Sequence, residues 1–392
     1  MERADVLIVG GGPAGSSCAA ALAAAGRDVL VLDRHAFPRD KPCAGWITPE
    51  AVARLGLRLD EYGKTRTLQP ISRFRIGRIG GRTVDVEYGE PVSYGIRRCE
   101  FDAELLRRSG ARTSVGTAVT EVRREGCSWV LNGRFAAPVL VGAGGHFCPV
   151  ARELAPSGRD EPVVAQEVEF RLEADMLEGC RVEPERPELY FSPDLLGYGW
   201  CFRKGAYLNV GLGRRDRRGL RQHVDAFLDW LVATERIAAS PRAGWRGHAY
   251  LVREATARGV SADGSLLVGD AAGLAAAASG EGILPAIVSG QLAAEAILET
   301  GGALDGARLG RVYEQRLSDV LGRPPRPRRP PGAFTTAAGA VLLSAPWFAR
   351  HVVLDRWFLH RRPGGRRGGP GAPARPSGMP PRLESPSVSP SV

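Results

Sequence analysis

Lysine is almost absent from this 392-residue sequence, which has only Lys41, Lys64 and Lys204 beside 50 arginines. The preference for arginine over lysine partly reflects coding bias. Clusters of arginine are therefore weak evidence for a nucleic-acid-binding surface. The formal net charge is +10, but residues 322–392 carry all of it, and residues 1–321 are balanced. A basic tail on a balanced body does not predict nucleic-acid binding, and we expect no nucleic-acid partner.

Cysteine is also scarce, and its spacing excludes two kinds of protein. There are seven cysteines, an odd number without the paired spacing of a disulfide-rich secreted domain. We therefore expect reduced thiols in a cytoplasm-like compartment. No CxxC pair or histidine–cysteine cluster has zinc spacing, so no metal site is expected.

Long apolar runs are missing as well. None approaches the roughly 20 residues of a membrane-spanning helix. The apolar N-terminus follows Glu2, Arg3 and Asp5 and is broken by glycines, which predicts a buried strand rather than a signal peptide. Residues 337–349 are apolar but short, and they contain Pro346. This stretch suits a membrane surface and is not expected to span a membrane.

The first informative feature is a glycine-rich turn between two apolar runs typical of buried parallel strands. Gly10, Gly12 and Gly15 have GxGxxG spacing. In such a unit the first glycine makes the turn, the second lets the backbone approach a pyrophosphate, and the third packs helix on strand. Asp33 follows the last glycine by 18 residues, close to the ~20 expected for an acid that holds a ribose. The sequence predicts a dinucleotide site, but this pattern alone does not choose between FAD and NAD.

A second stretch, residues 262–302, favours a flavin. A predicted strand ends at Asp270, and the Gly-Glu-Gly turn at residues 280–282 opens a long helix that begins at Ile283. An acid at a strand end can hold a polyol hydroxyl. A helix N-terminus can stabilise the negative charge that a reduced flavin ring carries.

Together these motifs resemble the flavoprotein superfamily of the aromatic hydroxylases, flavin halogenases and geranylgeranyl reductases. Gly269-Asp270-Ala-Ala-Gly is similar to its second FAD motif, and Arg98-x-x-Phe101-Asp102 is similar to the helix whose arginine reaches FAD. The resemblance covers about residues 1–320 and implies FAD as the cofactor. The FAD-binding residues that it implies are Gly10, Gly12, Pro13, Ala14, Gly15, Asp33, Arg34, Ala44, Gly45, Arg98, Val119, Gly269, Asp270, Gly280, Gly282 and Ile283.

Residues 197–213 resemble the Tyr-x-Trp-x-Phe-Pro-Lys segment of the geranylgeranyl reductases. Tyr198, Trp200 and Phe202 alternate, so they share one face of a strand. The pair Gly211-x-Gly213 is expected to close this strand. The resemblance implies an aromatic wall for a flat or polyprenyl substrate. The alternative is that the three rings only pack this strand against the flavin domain.

Residues 41–46, KPCAGW, resemble the Cys-x-Gly-Gly loop of the same reductases, which passes close to the flavin. Ala44 and Gly45 would let the backbone approach the ring. Cys43 is therefore a candidate proton donor. The alternative is a small buried thiol with a packing role alone.

The resemblance implies an FAD-dependent oxidoreductase that reduces carbon–carbon double bonds of an isoprenoid, geranylgeranyl-type lipid. The alternatives are an FAD-dependent monooxygenase or halogenase, and a non-catalytic FAD-binding protein. Gly144 replaces the aspartate of the hydroxylases, and Ala277 replaces a common family proline. No second GxGxxG unit occurs, so NAD(P)H would dock transiently or a reduced redox protein would supply electrons.

The expected fold is α/β, with a Rossmann-type FAD-binding domain, an inserted antiparallel β-sheet substrate domain and a C-terminal helical segment. The FAD domain is assigned to residues 1–70, 98–158 and 255–321, and the substrate domain to 71–97 and 159–254. Residues 322–332 are a predicted linker, 333–362 the helical segment and 363–392 a disordered tail. The helical segment either lies peripherally on the inner face of a membrane or packs over the active site.

Overall fold

The computed structural model describes residues 1–154, 161–216, 218–241, 243–253, 259–301, 305–322 and 332–361, with the backbone alone at 333–335. Most of the expected linker and all of the expected tail therefore lie outside the described residues. The same holds for residues 155–158 and 255–258, at two of the expected domain boundaries.

A six-stranded sheet forms the centre of the nucleotide-binding half. Its central strands are continuous apolar runs that are buried along their whole length, as strands covered on both faces must be. The strands are parallel, apart from a short edge hairpin. In spatial order they are Ser261–Ala262, Ser265–Leu267, Val139–Gly142, Val6–Val9, Val29–Asp33 and Arg112–Val115.

Two helices pack closely on this sheet and on each other. They are Pro13–Ala24 and Ile283–Thr300. A Cβ added to Gly290 would lie 2.2 Å from the carbonyl oxygen of Ala14, so the helices meet backbone to backbone. The other helices of this half are Pro49–Arg54, Leu59–Thr65, Arg98–Arg108, Pro149–Leu154 and Gly306–Leu321, with a 3-10 turn at Gly269–Ala272.

A seven-stranded sheet forms the substrate-side half. In spatial order its strands are Arg246–Tyr250, Val163–Arg171, Tyr207–Arg214, Gly197–Lys204, Glu188–Phe191, Arg73–Arg78 and Thr83–Glu87. Neighbours are antiparallel except Glu188–Phe191 and Arg73–Arg78, which are parallel. Helices Ala174–Glu178 and Leu220–Ala233 belong to this half.

The prediction that Gly211 and Gly213 close the aromatic strand was wrong. The chain turns at Gly205, and both glycines lie on the next strand, with Gly211 directly opposite Trp200. A Cβ at Gly211 would lie 2.3 Å from the indole ring of Trp200. Gly211 therefore makes room for the indole within a hairpin.

The described residues also form two smaller sheets, of four and three strands. Glu2–Arg3, Phe135–Ala137, Ser128–Leu131 and Val122–Glu125 form one sheet, in that order. Trp46–Ile47, Ser93–Ile96 and Leu68–Ile71 form the other, with Ser93–Ile96 in the middle.

The C-terminal segment packs on the substrate-side sheet. It consists of helices Ala333–Leu343 and Pro346–Phe348 and a π-helical stretch, Ala349–Phe358. Val353, Leu354 and Phe358 are buried in one apolar cluster with Phe74 and Phe202 of the sheet. These contacts agree with the alternative in which the C-terminal helices pack on the body of the protein.

One described helix, Ile283–Thr300, is long and apolar enough to cross a membrane, but 67% of it is buried inside the protein. Residues 336–343 and 346–358 pass the same test only if they are taken together, although a 90° bend separates them.

Candidate active site

The candidate site is a cavity of about 660 Å³ lined by residues of both large sheets. This size is typical of a cofactor or small-molecule site. We call one end the nucleotide end, defined by Gly12, Asp33 and Val119. The opposite end, defined by Trp46 and Phe358, is called the aromatic end.

The glycine-rich turn has two kinds of glycine. Gly10 has a φ of +113°, and a Cβ there would lie 2.3 Å from the carbonyl oxygen of Ala143; a Cβ at Gly15 would lie 1.9 Å from that of Gly10. The protein's own packing therefore requires both. An added Cβ at Gly12 would meet only Nη2 of Arg39, at 3.5 Å. Gly12 thus leaves open backbone at a helix N-terminus, where a phosphate is stabilised.

Asp33 is held at the nucleotide end by backbone donors. The Gly11 N–H donates to Oδ2 at 2.8 Å and the His35 N–H donates to Oδ1 at 2.9 Å. Arg39 lies 3.7 Å from the same Oδ2. These contacts fix the carboxylate at the end of a parallel strand, where it lines the cavity.

Arg98 is a buried charge in the wall of the cavity. Its Nε and Nη2 donate to the two carboxylate oxygens of Asp102, each at 2.8 Å. Burial alone would lower the pKa of Arg98, but Asp102 and the neighbouring Cys43 thiol raise it above its usual value. Arg98 therefore stays charged.

Asp270 is the first member of a chain of polar contacts that continues through His248 to Lys41. Its Oδ2 lies 3.5 Å from His248 Nε2, which in turn lies 3.1 Å from Lys41 Nζ. Burial would raise the pKa of Asp270, but His248 and Lys41 bring it below its usual value. Burial, reinforced by Lys41, lowers the pKa of His248. Asp270 is thus an ionised acceptor at the N-terminus of the helix that Gly282 opens.

These features fit FAD. Open backbone at a helix N-terminus suits a pyrophosphate, and the two carboxylates, Asp33 and Asp270, suit hydroxyl groups at the two parts of the cofactor. The helix that begins at Ile283 has its N-terminus at the cavity wall, which Gly282 and Ile283 line, so its positive end suits a negatively charged ring.

Most residues that the resemblance implied line this cavity. They are Gly10, Gly12, Pro13, Ala14, Asp33, Arg34, Cys43, Ala44, Arg98, Val119, Tyr198, Trp200, Phe202, Asp270, Gly280, Gly282 and Ile283. Gly15, Gly45 and Gly269 lie behind the wall instead, where elements pack closely. A Cβ at Gly45 would lie 2.1 Å from the carbonyl oxygen of Ile96, and one at Gly269 would lie 3.1 Å from Ala14 Cβ.

Three buried side chains of the seven-stranded sheet hold the loop of residues 41–45, which we call the Cys43 loop. Glu167 accepts a hydrogen bond from the Cys43 N–H at 2.6 Å. Asn209 Nδ2 donates to the Cys43 carbonyl at 3.2 Å, and Lys204 Nζ donates to the Ala44 carbonyl at 3.0 Å. We call these three side chains the anchors of the loop. They lie on three different strands, so three strands of the sheet hold the loop in place.

Lys204 connects the loop to two further elements. Its side chain is 1% exposed and also donates to the carbonyl of Ile96, at 3.1 Å, and to Glu169. The ammonium group thus has three acceptors, as a buried charge requires. Lys204 therefore cross-links the Cys43 loop, strand Ser93–Ile96 and the seven-stranded sheet.

Sequence reasoning did not assign Glu167, Asn209 or this role of Lys204. One signal was present: Glu167 and Glu169 alternate along a strand whose other positions are largely apolar. Two acids on one face of a strand that covers a cofactor could have marked them as functional. Asn209 gave no comparable signal, because its role depends on its place opposite Phe202 in the hairpin.

The aromatic end is closed by the C-terminal segment. Trp46 stacks on Phe358 with ring centroids 5.3 Å apart, and Tyr198 meets Phe358 edge to face at 5.5 Å. His360 Nε2 lies 2.6 Å from Glu281 Oε2 in the Gly-Glu-Gly turn. Burial would lower the pKa of His360, but Glu281 raises it above its usual value. An ion pair therefore fastens this segment to the turn.

Comparison with known proteins matches the N-terminal part of this chain to a family model and most of its length to curated relatives. Residues 3–61 match the family model described as FAD binding domain. A menaquinone reductase of Mycobacterium tuberculosis is 33% identical over 348 residues, 82% of this chain and 81% of that protein. A chloroplastic geranylgeranyl diphosphate reductase of Oryza sativa subsp. japonica is 32% identical over 82% of this chain and 71% of that protein. The chain belongs to the geranylgeranyl reductase family of FAD-dependent oxidoreductases.

The fold of this geranylgeranyl reductase family member also matches a solved structure. A geranylgeranyl bacteriochlorophyll reductase-like protein from Thermoplasma acidophilum has a TM-score of 0.68 and 21% identity, covering 88% of each chain. At this identity the likeness speaks for the fold alone. The expected α/β flavoprotein fold is confirmed.

Proposed function

We propose that this oxidoreductase reduces carbon–carbon double bonds in the isoprenoid chain of a lipid. The observation that carries the proposal is the aromatic end, where Trp46, Trp200, Phe202 and Phe358 line the same cavity as the FAD-binding motifs. Aromatic rings are a suitable wall for a long, flat, unsaturated chain. The names of the relatives support the same choice, because menaquinone and geranylgeranyl diphosphate both contain an isoprenoid chain.

The residues of the chain would position the substrate and exclude water. When bound, FAD would supply the two electrons of the reduction, delivered as a hydride. Tyr198 is fixed by a hydrogen bond to the carbonyl of Ser279, and Trp200 by one to Asn209. Rigid rings would hold the double bond in one orientation. We also propose that NAD(P)H or a reduced redox protein reduces the flavin from outside.

Gly144 favours this proposal over a hydroxylase-type monooxygenase. An added Cβ at Gly144 would lie 3.2 Å from both Cα and Sγ of Cys148, which is tighter than ordinary contact. An aspartate at this position would require Cys148 to shift by a few tenths of an ångström. The packing at Gly144 is therefore less favourable for the acid that the hydroxylases use.

The test is an anaerobic half-reaction. The FAD-loaded protein is reduced, and the flavin absorption band is followed after one of three probes is added: a geranylgeranyl lipid, its fully saturated analogue, or a naphthoquinone without an isoprenoid chain. We expect rapid reoxidation by the unsaturated lipid and none by the saturated analogue. Equal reoxidation by the chainless quinone would indicate quinone-ring reduction instead, and reoxidation by oxygen alone would favour a monooxygenase.

We further propose that the C-terminal segment rests on a lipid surface. Val341, Leu342 and Trp347 are 73%, 44% and 67% exposed and lie around the bend of this segment. Arg356 is exposed on the same segment. Apolar and aromatic side chains beside a cation suit an anionic membrane surface.

A second, apolar cavity of about 190 Å³ lies under these helices, lined by Phe191, Leu195, Ala277, Ala278, Gly339, Leu343, Phe348 and Trp357.

Replacing Val341, Leu342 and Trp347 with serine should reduce binding to vesicles of phosphatidylcholine and phosphatidylglycerol about 10-fold or more, because apolar contact area with the lipid is lost. Cosedimentation measures the bound fraction. The matched control replaces Leu177 and Val320 with serine, since these are exposed apolar residues elsewhere, at 38% and 44%. Equal binding by both variants and the unmodified protein would contradict the membrane proposal.

A further inference from the structure

Glu167 is a buried acid in the wall of the candidate active site that no motif assigned. It lies in strand Val163–Arg171, is 6% exposed and lines the cavity beside Cys43. Burial raises the pKa of Glu167 to about 7, although the Cys43 N–H and Lys204 act in the opposite direction. Glu167 therefore gains and loses its proton near neutral pH, where a general acid is most effective.

Hydrogen-bond donors surround this carboxyl group. The Cys43 N–H donates to Oε1 at 2.6 Å, and Asn209 Nδ2 donates to Oε2 at 3.4 Å. The orientation of the Asn209 amide is fixed by Trp200, because the indole N–H can only donate and points at Asn209 Oδ1 from 2.7 Å. The two donors hold the carboxyl group in the cavity wall, which Glu167 lines.

The thiol of Cys43 has different surroundings. Its Sγ accepts a hydrogen bond from the Gly45 N–H at 3.4 Å, and the Arg98 guanidinium lies beside it. The sulfur is therefore held between a backbone donor and a fixed guanidinium on the same wall of the cavity.

We propose that Glu167 is the proton donor of the double-bond reduction, an inference that rests on the proposed function. In this step a hydride from the reduced flavin bonds to one carbon of the double bond. The proton of the Glu167 carboxyl group bonds to the other carbon, so the π bond is replaced by two C–H bonds. The flavin is left oxidised and Glu167 is left as a carboxylate, which regains its proton from water.

The charged groups on the strands beside Glu167 are paired with partners of opposite charge. Glu169, on the same strand, pairs with Lys204, and Arg246, opposite Glu167 on the neighbouring strand, pairs with Asp40 at 2.8 Å. Burial, reinforced by Lys41, lowers the pKa of His248. The Cys43 thiol completes the set and is the rival donor.

The test compares Glu167→Gln with Cys43→Ala in the anaerobic half-reaction of the FAD-loaded protein. Glutamine keeps an oxygen for the Cys43 N–H, so the loop keeps its anchor, but the side chain has no acidic proton. We expect the reoxidation rate to fall about 100-fold or more in E167Q. In the unmodified protein and in C43A the rate should decline as the pH rises above about 7, and this decline should disappear in E167Q.

A second readout does not depend on activity. The folded-state pKa of Glu167 lies above its usual value, so its proton stabilises the folded protein at low pH, and this stabilisation is lost as the pH rises through about 7. The melting temperature of the unmodified protein should therefore fall relative to that of E167Q between about pH 5 and about pH 8.

Several results would overturn the inference. One is loss of the rate in C43A with E167Q within a few fold of the unmodified protein, which would make the thiol the donor. Another is parallel melting of the unmodified protein and E167Q across this pH range. If the unmodified protein is not reoxidised by any isoprenoid lipid, the proposed function fails, and the proton-donor role fails with it. Normal reoxidation of the unmodified protein and E167Q alike removes only the role of Glu167.

Discussion

Gly12→Ala is expected to weaken FAD binding at least about 100-fold while leaving the fold intact. The reason is that a Cβ at this position meets no protein atom closer than 3.5 Å, so it projects into open space above the helix N-terminus. That space is where a pyrophosphate would contact the backbone. The φ of Gly12 is −75°, which alanine adopts without strain.

Flavin content per polypeptide and the free energy of unfolding of the apoprotein measure this prediction together. Gly259→Ala is the matched control, because an added Cβ there meets nothing within 4 Å and the residue does not line the cavity. The control should keep full flavin content. Stoichiometric FAD in G12A would contradict the placement of the pyrophosphate at this helix.

Lys204→Met is expected to destabilise the protein by about 3–5 kcal/mol, because it removes one partner of a buried ion pair. The change would leave Glu169 without its ammonium partner and two backbone carbonyls, of Ala44 and Ile96, without a donor. The Cys43 loop would lose one of its three anchors. We therefore also expect faster reaction of the Cys43 thiol with an alkylating reagent in the K204M variant.

Denaturant unfolding of the apoprotein measures the loss, with Lys64→Met as the control. The Lys64 side chain is 65% exposed and pairs with Glu61 at 3.0 Å, so its replacement should change stability by less than about 1 kcal/mol. A K204M variant as stable as K64M would show that the cross-link contributes little to the fold.

The two FAD motifs could be predicted from the sequence because each is local. Gly10, Gly12 and Gly15 lie within six residues, and Asp33 ends the next strand. The turn before Ile283 is equally compact. In such units the chemistry depends on neighbours along the chain, so the pattern alone carries the prediction.

The anchors of the Cys43 loop could not be predicted in this way. Glu167 and Asn209 meet Cys43 across more than 120 residues of sequence, and their pairing depends on the register of an antiparallel sheet. Gly211 shows the same limit, since its place opposite Trp200 became visible only with the hairpin. Phe358, whose ring closes the aromatic end of the cavity, belongs to the C-terminal segment. The sequence alone was compatible with this segment lying on a membrane or packing on the body of the protein.

The most direct test of double-bond reduction is the mass of an isoprenoid lipid after turnover with the FAD-loaded, reduced protein, measured once air has been admitted. We expect a gain of two hydrogen atoms for each reduced double bond, and this gain survives exposure to air because a saturated carbon–carbon bond is not reoxidised. A lipid that returns to its starting mass in air would indicate reduction of a quinone ring. A gain of one oxygen atom would indicate a monooxygenase, and either result would contradict double-bond reduction by this protein.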